Sequence, residues 1–279
     1  MKLRIRHCTR YRYSEPLLYS VHNLLLWPAD GASQQVLDWR IDVPATVHPL
    51  PDGLGNRSHC FTLQPPATQA VLDLSIVAQG VVLTHGVSVL HDPPGAPHPS
   101  FFLRSSPLAE PHPRMAQWAR AAVPDLAHTV DCGQAPSDAQ LLTLAAAVAD
   151  KVRYRSGSTH VETTALEAFD WELGVCQDQA HVMVAVCRSL GLGARYVSGY
   201  FYAENEPDLA SHAWVDVCTH PAQGRWLSID ITHSCPMDQR HVRLAVGNDY
   251  QTCPPVKGLR RGGGQEVLSV SVQIDPLYD

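Results

Sequence analysis

The first segment of the chain, residues 2–13, alternates between two kinds of side chain. Leu3, Ile5 and Tyr11 share one face of the alternating pattern, whereas arginines fill the other face. A period of two predicts a β-strand with one buried face and one solvated face. A row of arginines can also mark an anion-binding face, but a solvated outer face is the better interpretation here.

Other strand-like segments follow and are separated by turn-rich stretches. They cover residues 22–27, 36–43, 58–63 and 71–85. Many short strands with turn signals and no convincing helix are typical of an antiparallel β-sandwich or barrel. The pattern therefore predicts an N-terminal β domain over residues 1–90.

The pattern changes after residues 91–100, which hold four prolines and one glycine. Such a stretch is typical of a linker between domains. Beyond it, helical spacing appears at residues 114–123, 137–152 and 174–191, and strand-like segments follow at residues 194–202, 211–217 and 225–231. Helices followed by antiparallel strands predict an α+β domain over residues 101–279.

Composition narrows the class of protein. The chain has 279 residues, 45% hydrophobic residues and a net charge of −6, and it lacks a long basic run, so a nucleic-acid partner is not expected. No apolar stretch is long enough to span a bilayer, and the N-terminus does not have the pattern of a secretory signal. The eight cysteines form no CxxC pair. We therefore expect reduced thiols, a cytoplasmic location and no membrane partner.

One cysteine, Cys176, lies where the helix of residues 174–191 should begin. The positive end of a helix dipole and its unpaired backbone N–H groups favour a thiolate and can receive a developing oxyanion. Gly174 would permit a tight turn and close approach of a substrate. The alternative is a small buried hydrophobic residue, which is the commoner role of a free cysteine.

The strand-like segments 211–217 and 225–231 add a base and a group that orients it. If they pair as a hairpin that is symmetric about Pro221, His212 lies directly opposite Asp230. Their aliphatic residues then share one face, and the histidine and aspartate share the other. A nucleophilic thiol requires such an arrangement.

A metal site is the alternative use of these side chains. Asp178, His181, His212 and His233 could supply ligands, but their spacing matches no zinc motif and no HExxH pattern is present. His181 lies one and a half helical turns beyond the cysteine and should point away from it. We therefore predict no metal and no cofactor.

Three blocks resemble the motifs of the transglutaminase-like superfamily, specifically its bacterial members with an N-terminal β domain. GVCQDQAHVMVAVCRSLGLGARYVSGY (174–200) resembles the nucleophile motif, SHAWVDV (211–217) the histidine motif, and WLSID (226–230) the aspartate motif. Further similarity covers most of the chain, at RHCTRYRYSEP (6–16), DGLGNRSH (52–59) and AVGNDYQTCPPVKG (245–258).

The resemblance implies a papain-like core, in which a nucleophile helix packs on an antiparallel sheet. It implies that Cys176 attacks a peptide or amide carbonyl, His212 accepts the thiol proton and Asp230 orients the imidazole. It also makes Trp171 and Trp214 candidates for the oxyanion site. Gly174 and Gln177 remain candidates for contacts with substrate, although the sequence assigns no role to Gln177.

The expected activity is that of a thiol peptidase, an amidase or a transamidase that works through a thioester. The expected partner is a peptide or protein amide substrate, and the sequence does not indicate the oligomeric state. The alternative is a non-catalytic binding or scaffold protein on the same fold, because fold alone does not fix function.

Overall fold

The computed structural model describes residues 1–66, 68–204 and 211–278. The first eight strands are β1 (Lys2–Tyr13), β2 (Leu17–Trp27), β3 (Gln34–Asp42), β4 (His48–Leu50), β5 (Arg57–Leu63), β6 (Asp73–Thr84), β7 (Val89–His91) and β8 (Arg153–Tyr154). The strands that follow are β9 (Leu173–Gly174), β10 (Ala194–Phe201), β11 (Ser211–His220), β12 (Arg225–Asp230), β13 (Cys235–Pro236), β14 (His241–Gly247), β15 (Val256–Gly262) and β16 (Glu266–Leu277).

Two four-stranded antiparallel sheets form the N-terminal part of the fold, in the orders β16-β1-β6-β3 and β15-β2-β5-β4. One apolar core, which includes Ile5 of β1, Leu24 of β2 and Phe61 of β5, lies between the two sheets. Strand β1 alternates in burial as its sequence predicts, and its arginines are exposed on the outer face. The predicted antiparallel β-sandwich is therefore confirmed.

The last two strands belong to the sandwich as well. Strand β16 pairs with β1 along its whole length, and β15 pairs with β2. This differs from the assignment of residues 101–279 to a single C-terminal domain, whereas the boundaries at residues 90 and 100 stay predictions. The alternation in β16 indicates a strand, but pairing across some 260 residues of sequence leaves no local signal.

The α-helices of the described residues follow β7 along the chain and precede β10. They are α1 (Pro113–Ala122), α2 (Pro124–Asp131), α3 (Asp138–Lys151), α4 (Ala165–Trp171) and α5 (Cys176–Ser189). Helices α2 and α4 were not predicted; α4 has a capping box from Thr164 and Glu167, a signal that is readable in the sequence. In the described part of the chain, no helix combines the length and apolar character needed to cross a bilayer.

A curled antiparallel sheet supports α5. Its strand order is β13-β12-β11-β10-β14, and the short strand β7 adds to β12. The aliphatic face of β11 and β12, with Val215 and Ile229, packs on Val182 and Val186 of α5. Burial of this face fixes the helix on the sheet. The predicted α+β fold is confirmed.

The register of the β11–β12 hairpin differs from the prediction. Asp216 pairs with Ser228, and Val215 pairs with Ile229, which is a shift of two residues from symmetry about Pro221. A 3₁₀ turn at Pro221–Gln223 and a bulge between Cys218 and His220 move the centre of the hairpin. Because the shift is even, every side chain keeps its predicted face.

Candidate active site

Cys176 is the first residue of α5, as predicted. The carboxylate of Asp178 fixes this end of the helix, since its Oδ2 accepts from the backbone N–H of Val175 at 2.8 Å and from Oγ1 of Thr159 at 2.6 Å. Asp178 is buried, and burial raises the pKa of its carboxyl group. The helix end that carries Cys176 is therefore held rigidly.

The backbone N–H groups of Cys176 and Gln177 donate to no acceptor among the described residues. They belong to the first turn of α5, where no preceding helical carbonyl is available. Each can donate to a negative oxygen that develops beside the thiol. These groups fit the predicted oxyanion role of the Cys176 backbone N–H.

His212 lies between an aspartate and the cysteine. Its Nε2 donates to Oδ2 of Asp230 at 2.8 Å, and both side chains are completely buried. Nδ1 is buried and has no regular hydrogen-bond partner among the described residues. Nδ1 is thus the ring nitrogen left for the thiol of Cys176, and such contacts often tighten only when substrate binds.

The surroundings of His212 favour its protonated form. Burial alone would lower the pKa of His212, but the charge of Cys176 and the hydrogen bond to Asp230 outweigh it. A hydrogen-bonding contribution from Cys176 adds to these effects, and the pKa rises to about 10. The imidazole is therefore able to hold a proton taken from the thiol.

Asp230 accepts hydrogen bonds from three imidazoles at one oxygen. Besides His212, Nδ1 of His233 lies 2.7 Å and Nε2 of His241 lies 2.9 Å from the same Oδ2. Burial would raise the pKa of Asp230, but these three hydrogen bonds hold it well below its usual range. The carboxylate is therefore ionised and fixed in position before any substrate arrives.

His241 is held on both sides. One ring nitrogen contacts Asp230, and the other lies 3.1 Å from both the backbone nitrogen and Oδ1 of Asp238. The ring of Phe201 packs against His233, His212 and His241 at centroid distances of 4.2, 5.2 and 4.8 Å. This packing leaves the imidazoles little freedom to turn away from Asp230.

The same side chains form a cluster able to hold a metal ion. In the described part of the chain, ligand atoms of His212, Asp230 and His241 lie within 4.8 Å of one another. In this structure the imidazole N–H groups instead point at one oxygen of Asp230 and donate hydrogen bonds to it. These hydrogen bonds orient the imidazoles. The set of ligands weighed from the sequence does not assemble, because Nε2 of His181 accepts from the backbone N–H of Tyr250.

Behind the triad lies a buried ionic network. Both carboxylate oxygens of Asp216 accept from Arg243, at 2.8 and 2.7 Å, and Arg195 donates to Oδ2 at 2.8 Å. Arg243 also donates to Oγ of Ser228, which accepts from the indole N–H of Trp214. The network therefore joins β10, β11, β12 and β14.

We expect Asp216→Asn to lower the free energy of unfolding by about 3–5 kcal/mol, because the completely buried carboxylate is the counter-charge of Arg243 and one of the two counter-charges of Arg195. Burial would raise the pKa of Asp216, but the two arginines lower it to about 2, below the usual range of an aspartate. The contribution of ionised Asp216 to the free energy of unfolding is therefore complete above about pH 4 and is lost as the pH falls towards 2. Urea unfolding at several pH values measures both effects.

The matched control is Asp73→Asn. Asp73 is half-exposed and pairs with Arg10 and Arg12 on the outer face of the sandwich, so it should contribute less than about 1 kcal/mol. An equal loss of stability in the two variants would contradict the role of the buried network.

The other predicted site residues have different surroundings. A Cβ on Gly174 would lie 2.6 Å from the Cβ of Asp178, so the glycine makes room for this carboxylate, and its predicted contact with substrate stays a prediction. Gln177 donates to the carbonyl oxygen of Val161 at 3.0 Å. Trp171, at the end of α4, is 52% exposed and takes part in no described hydrogen bond or ring contact. Trp214 is completely buried and its indole N–H is used by Ser228, which removes it as an oxyanion donor.

The sequence predicted neither the contact of His241 with Asp230 nor the contact of Asp178 with the N-terminal end of α5. His241 stands at the start of β14, and no local spacing links it to Asp230. Asp178 stands three residues after the last non-helical residue, Val175, a spacing that is typical of a capping box. This spacing was readable, whereas the contact between His241 and Asp230 required the fold.

Among the other thiols, four have a raised pKa. Burial raises it to about 12 for Cys187, to about 11 for Cys218 and Cys235, and well above its usual value for Cys253. These thiols stay protonated near neutral pH and react slowly. Cys132 is exposed and offers a reference for ordinary accessibility.

A nucleophile helix on a curled antiparallel sheet, preceded by a β-sandwich, defines a class of protein. Residues 124–231 match the transglutaminase-like superfamily, and residues 3–82 match the bacterial transglutaminase-like N-terminal region. The chain belongs to the transglutaminase-like superfamily.

Similar proteins occur in mycobacteria and in Pseudomonas. The chain is 30% identical to an uncharacterized protein of Mycobacterium tuberculosis over 99% of this chain and 93% of the relative. It is 28% identical to an uncharacterized protein of Mycobacterium leprae over 99% of both chains. It is 33% identical to a protein-glutamine gamma-glutamyltransferase of Pseudomonas aeruginosa over 34% of this chain and 16% of that protein.

A solved structure shares the whole fold. The structure of a candidate cysteine protease from Cytophaga hutchinsonii superposes with a TM-score of 0.75 at 20% identity. The match covers 100% of this chain and 91% of that one, so it includes both the sandwich and the curled sheet.

Proposed function

We propose that this chain is a cysteine-dependent acyl-transfer enzyme that acts on amide or peptide bonds through a thioester. The observation that carries the proposal is the position of His212, which is bonded to the ionised Asp230 on one side and faces the thiol of Cys176 on the other. A nucleophile, a base and an orienting carboxylate in this order are what thiol-dependent acyl transfer needs.

The first half of the reaction forms the thioester. Nδ1 of His212 takes the proton of Cys176, and the sulfur attacks the carbonyl carbon of the amide. The backbone N–H groups of Cys176 and Gln177 donate to the resulting oxyanion. When the tetrahedral intermediate collapses, the carbon–nitrogen bond breaks and His212 returns the proton to the departing ammonia or amine.

The second half depends on the acceptor. Water gives the carboxylic acid and makes the chain a peptidase or amidase, whereas a primary amine gives a new amide and makes it a transamidase. In both cases His212 takes a proton from the acceptor and returns it to the sulfur. We favour peptidase or amidase chemistry, with transamidation as the alternative outcome. The name of the Pseudomonas relative supports transamidation, but the similarity covers only 34% of this chain.

The test is an activity profile on a library of glutamine peptides and peptide amides, with and without a primary amine. We expect the acid product without amine and an amine adduct where transamidation competes, both resolved by mass spectrometry. The ratio of the products names the reaction class. Absence of both products across the library would contradict the proposal and would favour the non-catalytic scaffold predicted as the alternative.

A further inference from the structure

At one edge of the sandwich, the core-facing side chains of the last strand are exposed to solvent. Strand β16 is an edge strand, and its residues Leu268 and Val270 pair with Tyr11 and Thr9 of β1. Tyr11 and Thr9 are buried on the core face of the sandwich, but their neighbours Leu268 and Val270 are 53% and 52% exposed. The core face therefore continues into solvent as an apolar surface at this edge.

Two connected cavities lie along this open edge. The first, of about 490 Å³, is lined by the β16 residues Leu268, Val270 and Val272, and none of the described residues in its wall is an aspartate, glutamate, lysine or arginine. The second, of about 720 Å³, extends towards β15 and is lined by Leu259, which is 71% exposed. Tyr11, Tyr250, Val256 and Leu268 line both cavities. We call this surface the edge groove.

The edge groove reaches the proposed active site from two sides. Ser211, which precedes His212, lines the first cavity. Tyr250 lines both cavities and packs edge-on against Tyr196 at 6.2 Å. Cys176 and Tyr250 both pack against the core cluster that contains Tyr196, which connects the groove to the surroundings of the thiol.

The second cavity meets the nucleophile helix through a loop. Val161 lines this cavity, and its carbonyl oxygen accepts from the side chain of Gln177. Gln177 follows Cys176 in the chain. A substrate in the edge groove would therefore run past the thiol and not away from it.

The free backbone of β16 selects the kind of occupant. Among the described residues β16 pairs only with β1, so alternate N–H and C=O groups on its other side have no strand partner. Extended peptides add to such edges through main-chain hydrogen bonds, and their alternate side chains enter pockets on one face. Here that face is the edge groove, which is apolar along Leu268 and Val270, whereas its second cavity is also lined by Glu162, Lys257, Arg260 and Glu266.

We propose that the acyl donor binds in the edge groove as an extended peptide that pairs with β16. Alternate apolar side chains of this peptide contact Leu268 and Val270. This inference rests on the proposed function and names the substrate class: a polypeptide segment with apolar residues two positions apart near the attacked amide. The N-terminal sandwich then forms part of the substrate site.

Binding can be measured apart from turnover by using the Cys176→Ala protein. The probe is a dye-labelled glutamine peptide with leucine on alternate residues, compared by fluorescence anisotropy with the same peptide carrying serine there. We expect the leucine peptide to bind at least about tenfold more tightly, because each leucine removes apolar surface from water. Equal affinity of the two peptides would overturn the inference.

The sites on β16 are tested by matched substitutions. Leu268→Asp, and independently Val270→Asp, should weaken binding of the leucine peptide at least about tenfold. Val267→Asp is the control, because Val267 is 64% exposed on the outer face of the same strand, where it pairs with Arg12. Equal loss in all three variants, or no loss in any, would overturn the inference.

Strand pairing is tested by N-methylation of alternate peptide amides in two sets. One set should abolish binding and the other should leave it unchanged, since only alternate amides face β16. Equal effects would overturn strand pairing.

If binding follows these expectations but Cys176→Ala retains amide turnover, the proposed function fails while the groove stands. If turnover is lost but binding does not depend on β16, only the groove fails.

Discussion

Cys176→Ala is expected to lower turnover of a responsive amide substrate by about 10³-fold or more, because no other group forms the thioester. The helix end that holds residue 176 is fixed by Asp178, so the variant should fold normally. Initial rates with the wild-type and variant proteins, with circular dichroism as a check of folding, measure the effect.

The control for this substitution is Cys132→Ala, which removes the exposed thiol and should leave turnover unchanged. Alkylation by iodoacetamide near neutral pH adds an independent readout. Accessibility alone would make Cys132 react first, whereas an activated thiolate would make Cys176 react first. Faster labelling of Cys132, or unchanged turnover in Cys176→Ala, would show that the nucleophile is assigned wrongly.

Asp230→Asn is expected to lower kcat by about 10³–10⁴-fold. The substitution removes the charge that helps to raise the pKa of His212, and it replaces an acceptor of three imidazole N–H groups with a mixed donor and acceptor. The ring is then free to adopt the wrong tautomer or orientation. Steady-state kinetics and the rate of Cys176 alkylation should fall together.

Asp170→Asn is the matched control for Asp230→Asn. Asp170 also accepts from a cationic side chain, Arg114, but on the surface of α4. We expect the kcat of the Asp170→Asn variant to stay close to that of the wild-type protein. Similar losses in the two variants, with intact folding, would contradict a specific role for Asp230.

Local patterns carried much of the fold. Alternation along β1 and aliphatic periodicity along α5 depend only on neighbouring residues, and both elements have the predicted bounds to within two residues. The pairing of β16 with β1 is non-local, and the sequence placed that strand in the wrong part of the molecule. Register depends on turn geometry as well, so the β11–β12 hairpin kept its predicted faces and shifted by two residues.

The sequence by itself determined the nucleophile's place at a helix start and the faces of His212 and Asp230, because helical and strand periods decide which side chains share a surface. Only the tertiary structure decided that His233 and His241 converge on Asp230, since they reach it from a turn and from another strand. It also decided that β16 pairs with β1 and completes a sheet of the sandwich. Both features depend on contacts between distant segments, which close packing creates and local sequence does not encode.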